Sequence, residues 1–190
     1  MFRTAVKLVA TLNLAYFGIE FAVALAIGSV ALFADSIDFL EDASINVLIV
    51  VALSWSPRWR SRVGKGLSLA ILVPALATVW MAWQKFTVPL PPQAETLTLV
   101  GAGALAINFA CAVVLVRHRH HGSSLAKAAW LSARNDVLAN AAIVVTGLLT
   151  AVTVSAWPDL VVGLGIGLLN ADAARQVWAA ANRERRTAEP

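Results

Sequence analysis

The chain has 190 residues, of which 59% are hydrophobic and only 14% charged, with a formal net charge of +4. A soluble domain normally carries about a quarter charged residues, so this composition excludes the soluble globular class and indicates an integral membrane protein. At roughly twenty residues per span, the length accommodates about six helices. The single cysteine, Cys111, excludes an internal disulfide and is expected to be a small packed residue.

Apolar runs separated by basic, proline-rich or glycine-containing segments predict an all-α integral membrane protein with six transmembrane helices. The predicted spans cover residues 6–27, 29–54, 67–84, 97–116, 125–150 and 157–181. Residues 1–182 are therefore expected to form one transmembrane domain, and residues 183–190 a short unstructured cytoplasmic tail. No signal-peptide cleavage site follows the first apolar run, which we interpret as a span.

Lysine and arginine residues fall mainly on one side of the predicted spans. Thirteen of the fifteen lie there, which leaves Lys85 on the opposite side and Arg134 within a span. By the positive-inside rule, this distribution predicts a multi-pass protein of the cell membrane, specifically a bacterial inner membrane, with both termini cytoplasmic. These residues occupy short loops, so no basic face with interleaved aromatics is left for binding nucleic acid.

Span two carries four acidic residues, Asp35, Asp38, Glu41 and Asp42, in an otherwise apolar region. Asp38 and Asp42 are four residues apart, so their carboxylates project from one helix face, and Asp35 extends that stripe. A charged group in the membrane interior is costly and neighbouring carboxylates repel, so protons or a cation must occupy such a site. A divalent metal ion meets both demands, which predicts a transporter for a divalent cation.

A second polar block lies in span five. Ser132, Asp136 and Asn140 recur every four residues and therefore share one helix face. Asp136 is placed to meet Asp38 and Asp42 from a facing helix. The two spans together thus predict the residues of one ion site.

Other polar residues leave alternatives open. In span one, Asn13, Tyr16 and Glu20 share a face; hydrogen bonds between helices explain the first two, whereas Glu20 either joins an ion or proton path or has a structural role. Arg134 is expected in a structural ion pair, with Glu20 among its candidate partners. The three histidines of residues 117–124 either gather metal or anchor the topology.

Three segments resemble the cation diffusion facilitator family: GSVALFADSIDFLED at residues 28–42, the Asn135-Asp136 pair followed by Asn140 in span five, and SAWPDLVVGLGIG at residues 155–167. The resemblance covers nearly the whole chain. It implies a homodimeric, proton-coupled exporter with six helices per subunit in the lipid bilayer. Its cargo would be Zn, Cd, Co, Fe or Mn, with no permanently bound cofactor.

The same resemblance implies a transport site made of Asp38, Asp42 and Asp136. Ser132 takes the position of the fourth ligand, which the family usually fills with histidine or aspartate. Weaker candidate ligands are Asn140, Asn135, Glu20 and Asp35. A first shell made only of oxygen favours manganese, magnesium or iron, whereas the family favours zinc, cadmium or cobalt.

A second departure is the C-terminus, where about nine residues follow span six. The chain is thus expected to be a short form without the family's cytoplasmic domain. A passive ion channel or a membrane scaffold subunit is the alternative, in which the acids merely pair with Arg134. An enzyme is not expected, because no nucleophile–base pair, HExxH motif or phosphate loop is present.

Overall fold

The structure, a computed structural model, describes residues 2–52, 57–116 and 124–187. The described residues form six helices: α1 (Phe2–Ile27), α2 (Val30–Ala52), α3 (Pro57–Thr87), α4 (Ala94–Val116), α5 (Ser124–Thr153) and α6 (Trp157–Thr187). Segments long and apolar enough to cross a membrane lie in α1, α4 and α5, at Thr4–Ile27, Ala94–Val114 and Asn135–Thr153. This architecture confirms the predicted all-α membrane protein.

Two helices extend furthest beyond their predicted spans. α3 begins at Pro57 rather than at residue 67, so the arginine-rich segment that we expected to be a loop is mostly helical. Proline suits the first helical turn, where no N–H is needed, and arginine and lysine favour helices. α6 likewise continues to Thr187, so residues 183–187 are helical rather than unstructured. Hydropathy locates the apolar span of a helix, whereas helix-forming polar residues extend the helix beyond it.

α2 lies at the centre of the bundle and packs against α1, α3, α5 and α6. The connections 28–29, 88–93 and 154–156 lie at one end of the helices, which we call the short-turn end. Every residue from Ser29 to Ile37 is buried, and partial exposure begins at Asp38. The bundle is therefore closed around α2 at the short-turn end and more accessible beyond Asp38.

The turn between α1 and α2 has the tight geometry that its sequence predicts. Gly28 has a φ of 64°, a left-handed conformation that glycine adopts without steric cost. Ser29 then caps α2, because its hydroxyl oxygen accepts a hydrogen bond from the Leu32 N–H at 3.1 Å. The turn brings the start of α2 against α3 and α6.

A buried ion pair stabilises the short-turn end of the bundle. Lys85, at the end of α3, donates to Asp159 Oδ2 at 2.6 Å and to the Gly28 carbonyl at 2.7 Å. Asp159, in the first turn of α6, also accepts from the Ser29 hydroxyl at 2.6 Å and from the N–H groups of residues 30–31 at 2.9 and 3.2 Å. We call these residues the Asp159 cluster. The sequence predicts Lys85 on this side of the membrane but does not identify its partner. The Lys85 side chain is only 7% exposed.

Gly163 allows α6 to approach α2 closely. A Cβ added there would lie 2.6 Å from the Val30 carbonyl carbon and 2.7 Å from the Ala31 nitrogen, whereas a Cβ at Gly165 would meet nothing within 4 Å. We expect Gly163→Ala to lower the free energy of unfolding by about 1–3 kcal/mol, because backbone atoms must move. Gly165→Ala should be neutral or slightly stabilising. Denaturation in mixed detergent micelles compares the two, and equal stabilities would contradict this packing.

Candidate metal site

The acids predicted as ligands come from α2 and α5. Asp38 and Asp42 lie about two and three turns from the start of α2, near the middle of the bundle. The carboxyl groups of Asp42 and Asp136 are within hydrogen-bonding reach of each other. Asp38 interacts electrostatically with both. All three side chains are partly exposed, and we call the region among them the acidic space.

This space is not a closed coordination shell. Among the side chains that the structure describes, no three of histidine, cysteine, aspartate or glutamate converge tightly enough to hold a metal ion. Metal binding by Asp38, Asp42 and Asp136 therefore requires their carboxylates to approach one another further. Carboxylates on facing helices can do so when a cation removes their mutual repulsion.

Other predicted residues either lie outside the described side chains or are exposed. The side chains of Ser132 and Arg134 lie outside the described part of the molecule, as do residues 117–123, which hold the three histidines. Asn135 is described, and it is exposed. The fourth-ligand prediction for Ser132 and the ion-pair prediction for Arg134 therefore stay predictions.

A second polar group lies nearer the short-turn end and contains Asp35, Glu20 and Asn140. All three side chains are fully buried. Glu20 lies within hydrogen-bonding reach of Asp35, and Asn140 Nδ2 donates to Asp35 Oδ1 at 3.4 Å. Both oxygens of Glu20 and Oδ2 of Asp35 find no hydrogen-bond donor among the described residues. Asp35 also interacts electrostatically with Asp38 and Asp136, so the stripe predicted on α2 continues from one polar group into the other.

Asp42 also contacts α1, through a side chain for which the sequence predicts only hydrogen bonding between helices. Asn13 on α1 donates from Nδ2 to Asp42 Oδ2 at 3.3 Å. The Oδ1 of Asn13 accepts from Cys111 Sγ on α4 at 3.6 Å. The shared face of Asn13 and Glu20 on α1 was the signal for this contact, since Glu20 also reaches an acid of α2.

Tyr16, on the same face of α1, makes the contact between helices that the sequence predicts. Its hydroxyl group donates to the Val100 carbonyl on α4 at 2.6 Å. The hydroxyl oxygen lies where a Cβ of Gly103 would be, so this glycine admits the tyrosine. Tyr16 therefore fixes α1 against α4 and is not turned into the acidic space.

Comparison with known proteins gives one family match. The chain matches the family model of the cation efflux transmembrane domain over residues 6–181, a segment that reaches into all six helices. No curated protein matches the chain. The matched segment includes the acids of both α2 and α5. The chain therefore belongs to the cation efflux family of multi-pass membrane proteins, whose members transport cations.

Proposed function

We propose that the protein exports a divalent metal ion from the cytoplasm in exchange for protons. The observation that carries this proposal is the convergence of Asp42 and Asp136 from facing helices, with Asp38 beside them, inside an apolar bundle. Intramembrane carboxylates are costly and serve ion or proton pathways in membrane proteins. A dication compensates two of these charges and leaves the third for an exchangeable proton.

The donor set consists of carboxylate oxygens. Oxygen ligands suit manganese, magnesium and iron, whereas the family favours zinc, cadmium and cobalt. Both groups are divalent, so the charge argument holds for either. The proposal therefore specifies a divalent cation, and a panel of metals is needed to identify it.

The burial pattern of α2 supports a state that is open towards the cytoplasm. Residues 29–37 are buried and the Asp159 cluster closes the short-turn end, whereas α2 is more accessible from Asp38 onwards. In the proposed topology, which follows the positive-inside rule, the protein spans a bacterial inner membrane. The short-turn end then faces outwards and both termini lie in the cytoplasm. In this arrangement, the short-turn end closes the candidate metal site off from the outside of the cell.

In the proposed cycle, metal enters from the cytoplasm and displaces protons, because carboxylates bind metal in the deprotonated form. The helices then rock, close the cytoplasmic side and open the short-turn end. Protons from outside enter the carboxylates as the metal leaves, which returns the site to its first state. A homodimer, as the family resemblance implies, would contain two such sites.

Proteoliposomes test this function directly. The purified protein should move at least one metal of a panel of Zn²⁺, Cd²⁺, Co²⁺, Mn²⁺, Fe²⁺ and Mg²⁺ when a pH gradient is imposed, with protons moving in the opposite direction. Collapsing the gradient with an ionophore should return uptake to the level of protein-free vesicles. Metal flux that is equally fast without a pH gradient and moves no protons would instead support a passive channel. The absence of any metal flux would support a membrane scaffold subunit.

A further inference from the structure

The helices α1 and α4 reach Asp42, one of the candidate metal ligands, through two side chains. Cys111 on α4 donates from Sγ to Asn13 Oδ1 at 3.6 Å. Asn13 on α1 donates from Nδ2 to Asp42 Oδ2 at 3.3 Å. These two hydrogen bonds form one chain across three helices that ends on a candidate metal ligand.

The chemistry of the groups gives this chain a direction. An amide has one acceptor oxygen and one donor nitrogen, a thiol is a weak donor, and an ionised carboxylate only accepts. If the Asn13 amide were turned over, its oxygen would face the oxygen of Asp42 and its NH₂ group would face the thiol. The Cys111 thiol thus favours the amide orientation that presents N–H to Asp42.

The surroundings of the two residues strengthen this preference. Asn13 is 0% and Cys111 1% exposed, so water has no access to replace either partner. Cys111 packs with Val9 in a buried cluster, with Ile107 and Val114 against it. In such an apolar environment, a hydrogen bond to a carboxylate is stronger and a misdirected amide is more costly than in water.

We propose that Asn13 and Cys111 are positioning residues of the transport site: Asn13 fixes the plane of the Asp42 carboxylate, and Cys111 fixes Asn13. The inference rests on the proposed function, in which Asp42 binds the metal. Groups that hydrogen-bond a ligating carboxylate pre-orient it, and their loss typically costs about 10–100-fold in metal affinity. Residues of α1 and α4 thereby tune a site whose ligands lie on α2 and α5.

The test is a variant series in proteoliposomes, with the metal that the panel shows to be transported fastest. Asn13→Ala should raise KM by about tenfold or more and leave kcat within about twofold, the signature of lost binding that is equal in the ground state and the transition state. Cys111→Ala should raise KM less. Cys111→Ser should restore a KM near that of the wild type, because a hydroxyl group also donates to Asn13 Oδ1.

A double variant separates positioning from packing. Because Cys111 acts through Asn13, the KM of the double variant Asn13→Ala/Cys111→Ala should equal that of Asn13→Ala. If the two substitutions caused independent packing defects, their fold-increases in KM would multiply. The matched control is Thr150→Ala, which removes a buried hydroxyl on α5 that has no hydrogen-bond partner among the described residues. Its KM should not change.

The outcomes distinguish this inference from the proposed function. Normal transport by Asp42→Asn would end the proposed function itself. An inactive Asp42→Asn beside an unchanged KM in Asn13→Ala would end only the positioning role. A KM for Cys111→Ser as high as that of Cys111→Ala, or multiplicative effects in the double variant, would also end it. If Asn13→Ala fails to fold, as judged by circular dichroism and gel filtration, the test is the comparison of KM between Cys111→Ala and Cys111→Ser.

Discussion

Replacing Asp42 or Asp136 by asparagine should abolish proton-driven metal transport, with initial rates reduced by at least about a hundredfold. Outer groups of a metal site typically contribute about 10–100-fold in affinity, and loss of a direct ligand should exceed that. Asparagine preserves the shape of the side chain but removes the negative charge and the exchangeable proton. One change therefore weakens metal binding and also prevents proton exchange at that position.

The same proteoliposome assay measures both effects, as metal uptake and as proton release. Glu95→Gln is the matched control, since Glu95 is an exposed acid in the first turn of α4. This variant should transport metal at the wild-type rate. A variant of Asp42 or Asp136 that retains the wild-type rate would show that its carboxylate is not part of the transport site.

Replacing Asp159 by alanine should have the largest effect on stability. The substitution leaves the Lys85 ammonium group buried without its carboxylate partner, and it removes the acceptor for Ser29 and for the first N–H groups of α2. Breaking a buried pair by removing one partner typically costs about 3–5 kcal/mol. We expect a loss of this size in the free energy of unfolding, measured by denaturation in mixed detergent micelles.

Two further variants make this prediction specific. Asp172→Ala removes an exposed acid of the same helix whose contact with Arg175 is 4.0 Å long, so it should cost at most about 1 kcal/mol. Adding Lys85→Met to Asp159→Ala should recover part of the loss, because no uncompensated ammonium group then remains buried. Equal stabilities of Asp159→Ala and Asp172→Ala would contradict the role of the Asp159 cluster.

The sequence by itself determined the class of the protein and which residue types could form its site. Apolar runs and sparse charge specify membrane helices because burial in lipid depends on composition alone. The four-residue spacing of Asp38 and Asp42 places both carboxylates on one face because the helical period is local. The helix ends at Pro57 and Thr187 were missed, since polar helix formers extend both helices beyond the hydropathy signal.

Only the tertiary structure decided which faces meet. Lys85 and Asp159 are 74 residues apart, and Asn13 and Cys111 are 98 residues apart. Asn140 and Asp35, which are joined by a hydrogen bond, are likewise 105 residues apart. The rotation and crossing of packed helices depend on side-chain interlocking across the whole bundle, which the periodicity of one segment does not contain.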